Sequence, residues 1–375
     1  MNDFIPVASV DLGGNEEAYV VDAMRSTWIS SSGKYLQRFE KEFAVFCGSN
    51  TALSVCNGTA ALYLALLGMD LRPGDEVIVP SLTYVATANA VRYVGAEPVF
   101  VDVDPATWCM DPEKVEAAIT RRTRGIIPVH LLGHPADMDE INRIADVNGL
   151  WVIEDAAEAV GARYKGKPVG SLSHAATFSF FGNKVLTSGE GGAVTLSNDR
   201  LATRLKALRG QGMDPSRRYY FPIVGHNFRL TNLACAILCA QLERSSKIIE
   251  ARKAIYERYN TELAGIPGIG LQPIAKWAET SPWMFACTID AKRFGCTRNE
   301  LMSKLAESQI ETRPMFISLH TLPPYREQSL RRNDHLPITA KISEAGLMLP
   351  TFNTLTSAMQ DRVIRTIKEA HRLST

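Results

Sequence analysis

The stretch Ala176-Thr-Phe-Ser-Phe-Phe-Gly-Asn-Lys-Val-Leu-Thr-Ser-Gly-Glu-Gly-Gly192 decides how this chain is read. It opens as a short apolar run with strand character, passes through Lys184, and closes on a glycine-rich turn. A lysine in that position needs a reason, because a buried amine loses its charge and becomes a nucleophile suited to Schiff-base chemistry. A surface lysine on a turn is the competing reading of this segment taken alone. Upstream, Ile153-Glu-Asp-Ala-Ala-Glu158 puts acidic side chains at the end of another apolar strand.

Outward from that stretch, apolar β-branched runs alternate with longer amphipathic ones, the pattern of a layered α/β fold. The expected strands are 52–56, 76–80, 98–103, 125–130, 150–154, 176–180 and 193–197; the expected helices are 60–69, 83–94, 112–119, 138–148 and 200–208. The Gly-, Pro- and Arg-rich segment Arg209 to Gly225 is too long for a simple turn and reads as functional. From Thr231 to about Leu263, the spacing of Ile237, Leu238, Leu242, Ile248, Ile249, Ile255 and Tyr259 predicts one long helical stretch bridging two units. A strand at 283–289 and helices at 298–308 and 358–373 then predict a small α+β unit. The expected division is a large domain over 1–245, N-terminal segment included, and a small C-terminal domain over 246–375.

With 375 residues, 46% of them hydrophobic, the chain can bury a large core. Its 41 basic and 40 acidic side chains leave a formal charge of +1, so no global field favours nucleic acid or an anionic membrane. Met1-Asn-Asp-Phe-Ile-Pro6 lacks a basic segment followed by an apolar one, and windows such as Leu233 to Leu242 are too short to span a bilayer; a cytoplasmic location is expected. Seven cysteines without a CxxC pair argue against a disulfide framework and a structural zinc site. Cys235 and Cys239 read as small core residues one helical turn apart, and Gly133 and Pro135 keep His130 and His134 off a shared helix. No metal is expected. Gly161 to Pro168 nearly matches a P-loop, but Pro168 stands where a Ser or Thr belongs, and no GxGxxG opens a helix after a strand.

Asn57-Gly58-Thr59-Ala60 follows an expected strand and opens an expected helix, so backbone N–H groups and the Thr59 hydroxyl converge where the helix dipole favours an anion. A plain N-cap is the alternative for this segment by itself. Together with Asp155 and Lys184 it supplies a phosphate cradle, a carboxylate and an amine. Pyridoxal phosphate needs those three, since an adjacent carboxylate keeps the pyridine nitrogen protonated and makes the ring an electron sink.

These segments, with Pro73-Gly-Asp-Glu-Val-Ile-Val-Pro-Ser-Leu-Thr-Tyr84, Pro128-Val-His130, Phe178-Ser-Phe180 and Asn227-Phe-Arg-Leu-Thr231, give the chain a nearly end-to-end resemblance to a family. It resembles the nucleotide-sugar aminotransferases of the DegT/DnrJ/StrS-like group, within the fold type I pyridoxal-phosphate enzymes. The resemblance implies a large domain with a mainly parallel mixed sheet flanked by helices, plus a small α+β C-terminal domain. It also implies pyridoxal 5'-phosphate, with pyridoxamine phosphate as its intermediate form, held through Lys184 as the catalytic residue. Asp155 would pair with the ring nitrogen, Tyr84 would stack on the ring, and Ser179 with Gly58, Thr59 and Ala60 would bind the phosphate. Asn227 matches an asparagine that reaches the phosphate from the other subunit of a homodimer with shared active sites. Glu158 stands where many relatives carry a glutamine that contacts the ring hydroxyl or the sugar.

Within the group, Thr27-Trp-Ile-Ser-Ser-Ser-Gly33, Phe180-Phe-Gly-Asn-Lys184 and the loop Arg209 to Gly225 most resemble the members that make GDP-perosamine, which carry the same glutamate. That resemblance implies transfer of an amino group from L-glutamate to the 4-keto carbon of GDP-4-keto-6-deoxy-D-mannose. Arg217 and Arg218 would clamp the diphosphate. Trp28, Ser30, Arg229 and His320 would lie near the substrate. A UDP- or dTDP-linked keto sugar is the alternative substrate, and a non-catalytic regulatory or binding homologue is the alternative of a different class. A dehydratase of the group would carry histidine in place of Lys184.

Overall fold

The computed structural model describes residues 4–372. Seven strands form the main sheet: β1 (Thr51–Val55), β2 (Glu76–Pro80), β3 (Glu97–Val101), β4 (Thr123–Ile126), β5 (Trp151–Asp155), and, after the two short strands β6 (Arg163–Tyr164) and β7 (Lys167–Pro168), β8 (Ala175–Ser179) and β9 (Gly192–Leu196). Their order is β1-β9-β8-β5-β4-β2-β3. Pairs β2 to β3, β2 to β4, β4 to β5 and β5 to β8 are parallel, while β9 runs against both β8 and β1.

Successive side chains of a strand point to opposite faces, and here both faces are buried. Ile78, Val152 and Phe178 pack into one core, with Phe39, Phe43, Ile141 and Ile144. Val77, Val79 and Ile153 pack into another, with Leu62, Leu66 and Val91. The helices covering the faces are α1 (Glu16–Arg25), α2 (Lys34–Phe46), α3 (Gly58–Leu67), α4 (Ala86–Tyr93), α5 (Pro112–Ala118), α6 (Met138–Asn148), α7 (Asp199–Arg209) and α8 (Asn232–Glu243). Polar residues at their starts accept first-turn amides: Asn57 for α3, Asp111 for α5, Asp137 for α6, Asn198 for α7 and Thr231 for α8.

Beyond α8 come α9 (Ser245–Leu263), β10 (Ile269–Leu271), β11 (Ala278–Glu279), β12 (Phe285–Ile289), α10 (Ala291–Phe294), α11 (Arg298–Glu307), β13 (Arg313–Pro314), α12 (Pro323–Arg332), α13 (Pro337–Ala345), β14 (Gly346–Leu349) and α14 (Ser357–Arg372). A four-stranded sheet, β10-β12-β14-β13, is backed by a third core in which Phe285, Cys287 and Leu347 meet Leu301, Val363 and Ile367. The alternate residues Met284, Ala286 and Met348 face the first core, so the two sheets share a wall. Ile5 lies beside Ile310 and contributes to the third core.

The expected strands and helices recur with shifted ends, and three shifts matter. The strand expected over 125–130 stops at Ile126, freeing 127–130 to curve toward the end of β5, where Val129 bridges to Asp155. The helix expected from Thr83 starts at Ala86, because Ser81 to Tyr84 form a loop. The long helix expected over Thr231 to Leu263 breaks at Arg244, which has left helical geometry (φ −103°, ψ 4°) and whose guanidinium reaches Asp11 at 2.7 Å. Leu373, the expected end of the last helix, lies outside the described residues. Among those residues no helix is long and apolar enough to cross a membrane.

Candidate active site

The C-terminal ends of the parallel strands converge on a cavity of about 790 Å³, the position where open α/β sheets gather ligand-binding groups. After β1, Asn57 turns the chain into α3: its Oδ1 accepts the Ala60 amide at 2.8 Å. The Gly58 and Thr59 amides have no carbonyl a turn earlier to bond, so they stay available at the positive end of a ten-residue helix. Gly58 is required by packing, since a Cβ there would come within 2.8 Å of the Ser179 Cβ. Ser179, at the end of β8, accepts the Phe181 amide at 3.4 Å, which leaves its hydroxyl proton to donate elsewhere.

Beyond Ser179 the chain makes a tight turn, with the Lys184 amide bonded to the Phe181 carbonyl at 2.9 Å. Lys184 is half-buried, and its Nζ lies 3.8 Å from the centre of the Trp283 ring. Desolvation pulls its pKa down, opposed by the nearby Glu158 and Asp155 carboxyls. The Trp283 indole N–H donates to the Asn183 carbonyl at 2.8 Å, locking the ring to the lysine turn. Beneath, the buried Arg252 guanidinium donates to the carbonyls of Trp283 (2.9 Å), Thr351 (3.0 Å) and Lys184 (3.5 Å).

Asp155 closes β5, buried, with one carboxylate oxygen accepting from the Thr87 hydroxyl (2.7 Å) and the other from the Ala157 amide (3.2 Å). Burial raises its pKa against those donors and Lys184. Glu158, also buried, accepts the Leu132 amide at 2.8 Å and is pushed up to about 7 by desolvation. Leu132 sits at φ 57°, a conformation uncommon outside glycine, so this bond helps hold a strained turn. Below them His130 accepts the Ala136 amide at Nδ1 (3.0 Å), which makes Nε2 the donor to Glu154 (3.1 Å).

The cavity thus brings together Gly58, Thr59, Ala60, Tyr84, Asp155, Glu158, Ser179 and Lys184. The Ala60 amide, however, is already used by the Asn57 cap. Asn227 does not line the cavity of its own chain; its Oδ1 accepts from Arg229 Nε at 3.1 Å. Trp28, Ser30, Arg217, Arg218, Arg229 and His320 also lie outside the cavity lining. Trp28 is exposed, Arg217 and Arg218 lie over the rings of Tyr220 and Tyr219, and His320 Nδ1 pairs with the Ser81 hydroxyl at 2.8 Å. Sequence reasoning missed Trp283, Phe316, Arg313, His226 and Phe228, all of which line the cavity. Phe228 lies within the Asn227 to Thr231 segment and His226 directly before it, whereas no quoted segment marks Trp283, Arg313 or Phe316.

The donor set fits pyridoxal phosphate: a helix start for a phosphate, a buried carboxyl for a pyridinium, and a desolvated amine for a carbonyl. The buried Asn183 Oδ1, on the cavity lining beside Lys184, has no hydrogen-bond partner among the described residues, as expected of a wall that meets a bound polar group.

Fold and cavity together define an α/β enzyme built for amine chemistry at the strand ends of a mixed sheet. The family model described as the DegT/DnrJ/EryC1/StrS aminotransferase family matches residues 10–368, and the chain belongs to that family. GDP-perosamine synthase of Caulobacter vibrioides is 48% identical over 366 residues, covering 97% of this chain and 98% of that protein. GDP-perosamine synthase of Escherichia coli O157:H7 is 41% identical, covering 98% of each. The crystal structure of S. venezuelae DesV in complex with a ketimine intermediate superposes with a TM-score of 0.90 at 37% identity, covering 95% of this chain and 94% of that one.

Proposed function

We propose that the chain moves an amino group from L-glutamate to the 4-keto carbon of GDP-4-keto-6-deoxy-D-mannose, giving GDP-perosamine, and uses pyridoxal 5'-phosphate to do so. The observation that carries this reading is the desolvated Lys184 amine beside Asp155 and Glu158, above the start of α3, in a chain related end to end to GDP-perosamine synthases. When bound, pyridoxal phosphate supplies an aldehyde that links to amines and a ring that draws electrons from the attached carbon. Gly58, Thr59 and Ser179 would hold its phosphate, Asp155 its ring nitrogen and Tyr84 its ring face.

Lys184 Nζ is the proton carrier in this reading. It removes the proton from the α-carbon of glutamate, and later delivers one to C4 of the sugar. A lowered pKa keeps more of that amine in the neutral, basic form at neutral pH. Asp155 keeps its charge once a cation faces it, because the opposite charge offsets the desolvation that now raises its pKa. Asn227 would act on the cavity of a second copy, which makes the working unit a homodimer with shared sites. Arg217 and Arg218 would then grip the diphosphate, with Trp28, Ser30, Arg229 and His320 near the sugar nucleotide. The division of the chain into domains 1–245 and 246–375 belongs to the same reading.

The test is the absorption spectrum of the protein with pyridoxal phosphate, before and after L-glutamate, and again with GDP-4-keto-6-deoxy-D-mannose. A yellow band bleached by glutamate and restored by the sugar is the expected result. Bleaching that only a UDP- or dTDP-linked keto sugar reverses would change the substrate, and the absence of any band would overturn the reading. Lys184→Ala is expected to abolish turnover; wild-type rates in that variant would remove Lys184 from the mechanism.

A further inference from the structure

We propose that Arg313 grips a carboxylate of the amino donor, a role that rests on the aminotransfer reading above. Arg313 opens β13 and pairs in register with Met348 of β14, so it stands on the wall contributed by the small sheet. Trp283 and Phe316 stand on the same wall, their rings stacked with centres 6.3 Å apart, and Trp283 is the ring against which Lys184 Nζ lies. The start of α3 follows β1 and Ser179 ends β8, so both stand at strand ends of the large sheet.

Arg313 is the one guanidinium among the described residues lining the cavity, and it is not committed elsewhere. Its nearest carboxylate, Glu311, is 3.7 Å away, with both side chains well exposed, a pairing worth little in water. The lining also carries three carboxyls, Asp155, Glu158 and Glu190. A dicarboxylate entering such a cavity is repelled unless a fixed cation offsets that charge. Lys184 cannot serve as that counter-ion while its amine is neutral and ready to take the proton, which leaves Arg313. The planar guanidinium fork also matches the two oxygens of a carboxylate.

Position separates this role from binding the nucleotide diphosphate. The α-carboxylate of the donor is one bond from the carbon that gives up its proton, so its partner belongs on the wall against which Lys184 Nζ lies. In the sugar substrate the diphosphate hangs from C1, across the ring from the reacting C4, and is carried away from that wall.

The experiment uses the holoenzyme and its Arg313→Met and Arg313→Lys variants, with each half-reaction followed separately by single-turnover absorption. In Arg313→Met the L-glutamate concentration giving half-maximal bleaching rises at least about tenfold, with Arg313→Lys in between. Starting from enzyme loaded with pyridoxamine phosphate, the reaction with GDP-4-keto-6-deoxy-D-mannose stays within about twofold of wild type. Calorimetric binding of 2-oxoglutarate to the cofactor-free protein weakens in parallel, a readout independent of turnover. An unchanged glutamate dependence overturns the proposal, and so does equal loss in both half-reactions, which would assign Arg313 to the diphosphate or to the wall in general. A wild-type enzyme that binds the cofactor but does not bleach with glutamate would instead sink the aminotransfer reading itself.

Discussion

Glu158 ties the backbone of the cavity wall to the electrostatics of the cavity. Its carboxyl holds the strained Leu132 turn and faces the Lys184 amine, and burial pushes its pKa up to about 7 from an ordinary value of 4.5. Between those two values the native state keeps a proton that the unfolded chain has released, so stability falls as pH rises through that window. Glu158→Gln keeps an acceptor for the Leu132 amide but removes the titration. Urea denaturation is expected to show the variant gaining on wild type from pH 5 to pH 8, by on the order of 2 kcal/mol. Parallel stability curves across that range would show that Glu158 does not titrate there.

At the scale of elements, the start of α3 is where packing and the proposed phosphate site meet. An almost wholly apolar helix is buried against the sheet on most sides, and the Asn57 cap and Gly58 fix how its first turn meets β8. Gly58→Ala puts a methyl within 2.8 Å of Ser179, so either α3 or the end of β8 has to move. The variant is expected to lose about 1–2 kcal/mol of stability in urea denaturation and to release pyridoxal phosphate at least about tenfold more readily on dialysis. Cofactor retention equal to wild type would separate the helix start from phosphate binding. The break between α8 and α9 has a similar logic. It places Ile248 in the first core and Ile255, Tyr256 and Tyr259 in the third, so α9 spans both sheets, and Arg252 on it reaches the Lys184 carbonyl.

At the scale of the whole molecule, the cavity is made by two sheets, while Asn227 and the exposed loop bearing Arg217 and Arg218 stand outside the cavity lining. If Asn227 serves the cavity of a second copy, Lys184→Ala and Asn227→Ala chains complement one another. Each mixed dimer then has one intact site, and refolding an equal mixture recovers about a quarter of wild-type activity. An asparagine acting within its own chain leaves every site in the mixture defective, and no recovery would be seen. Sedimentation of the same mixture checks that mixed dimers formed.

The sequence determined much of this protein through short-range rules. Apolar runs of five residues between helical periods marked the seven strands, and capping side chains such as Asn57 marked helix starts, because these preferences act over a few residues. Lys184, Asp155 and the Asn57 to Ala60 turn were legible for the same reason: each stands at the end of a recognisable element. Only the tertiary structure decided that Trp283, Arg313 and Phe316 share a cavity with Lys184, since they come from strands and loops about 100 or more positions away and no local pattern encodes the approach of two sheets. It also decided the break at Arg244, where ion pairs to Asp11 and Glu16 near the start of the chain accompany the end of a helical spacing that runs on in the sequence. Elements follow from neighbours in sequence, whereas the cavity follows from how burying three apolar cores brings distant side chains together.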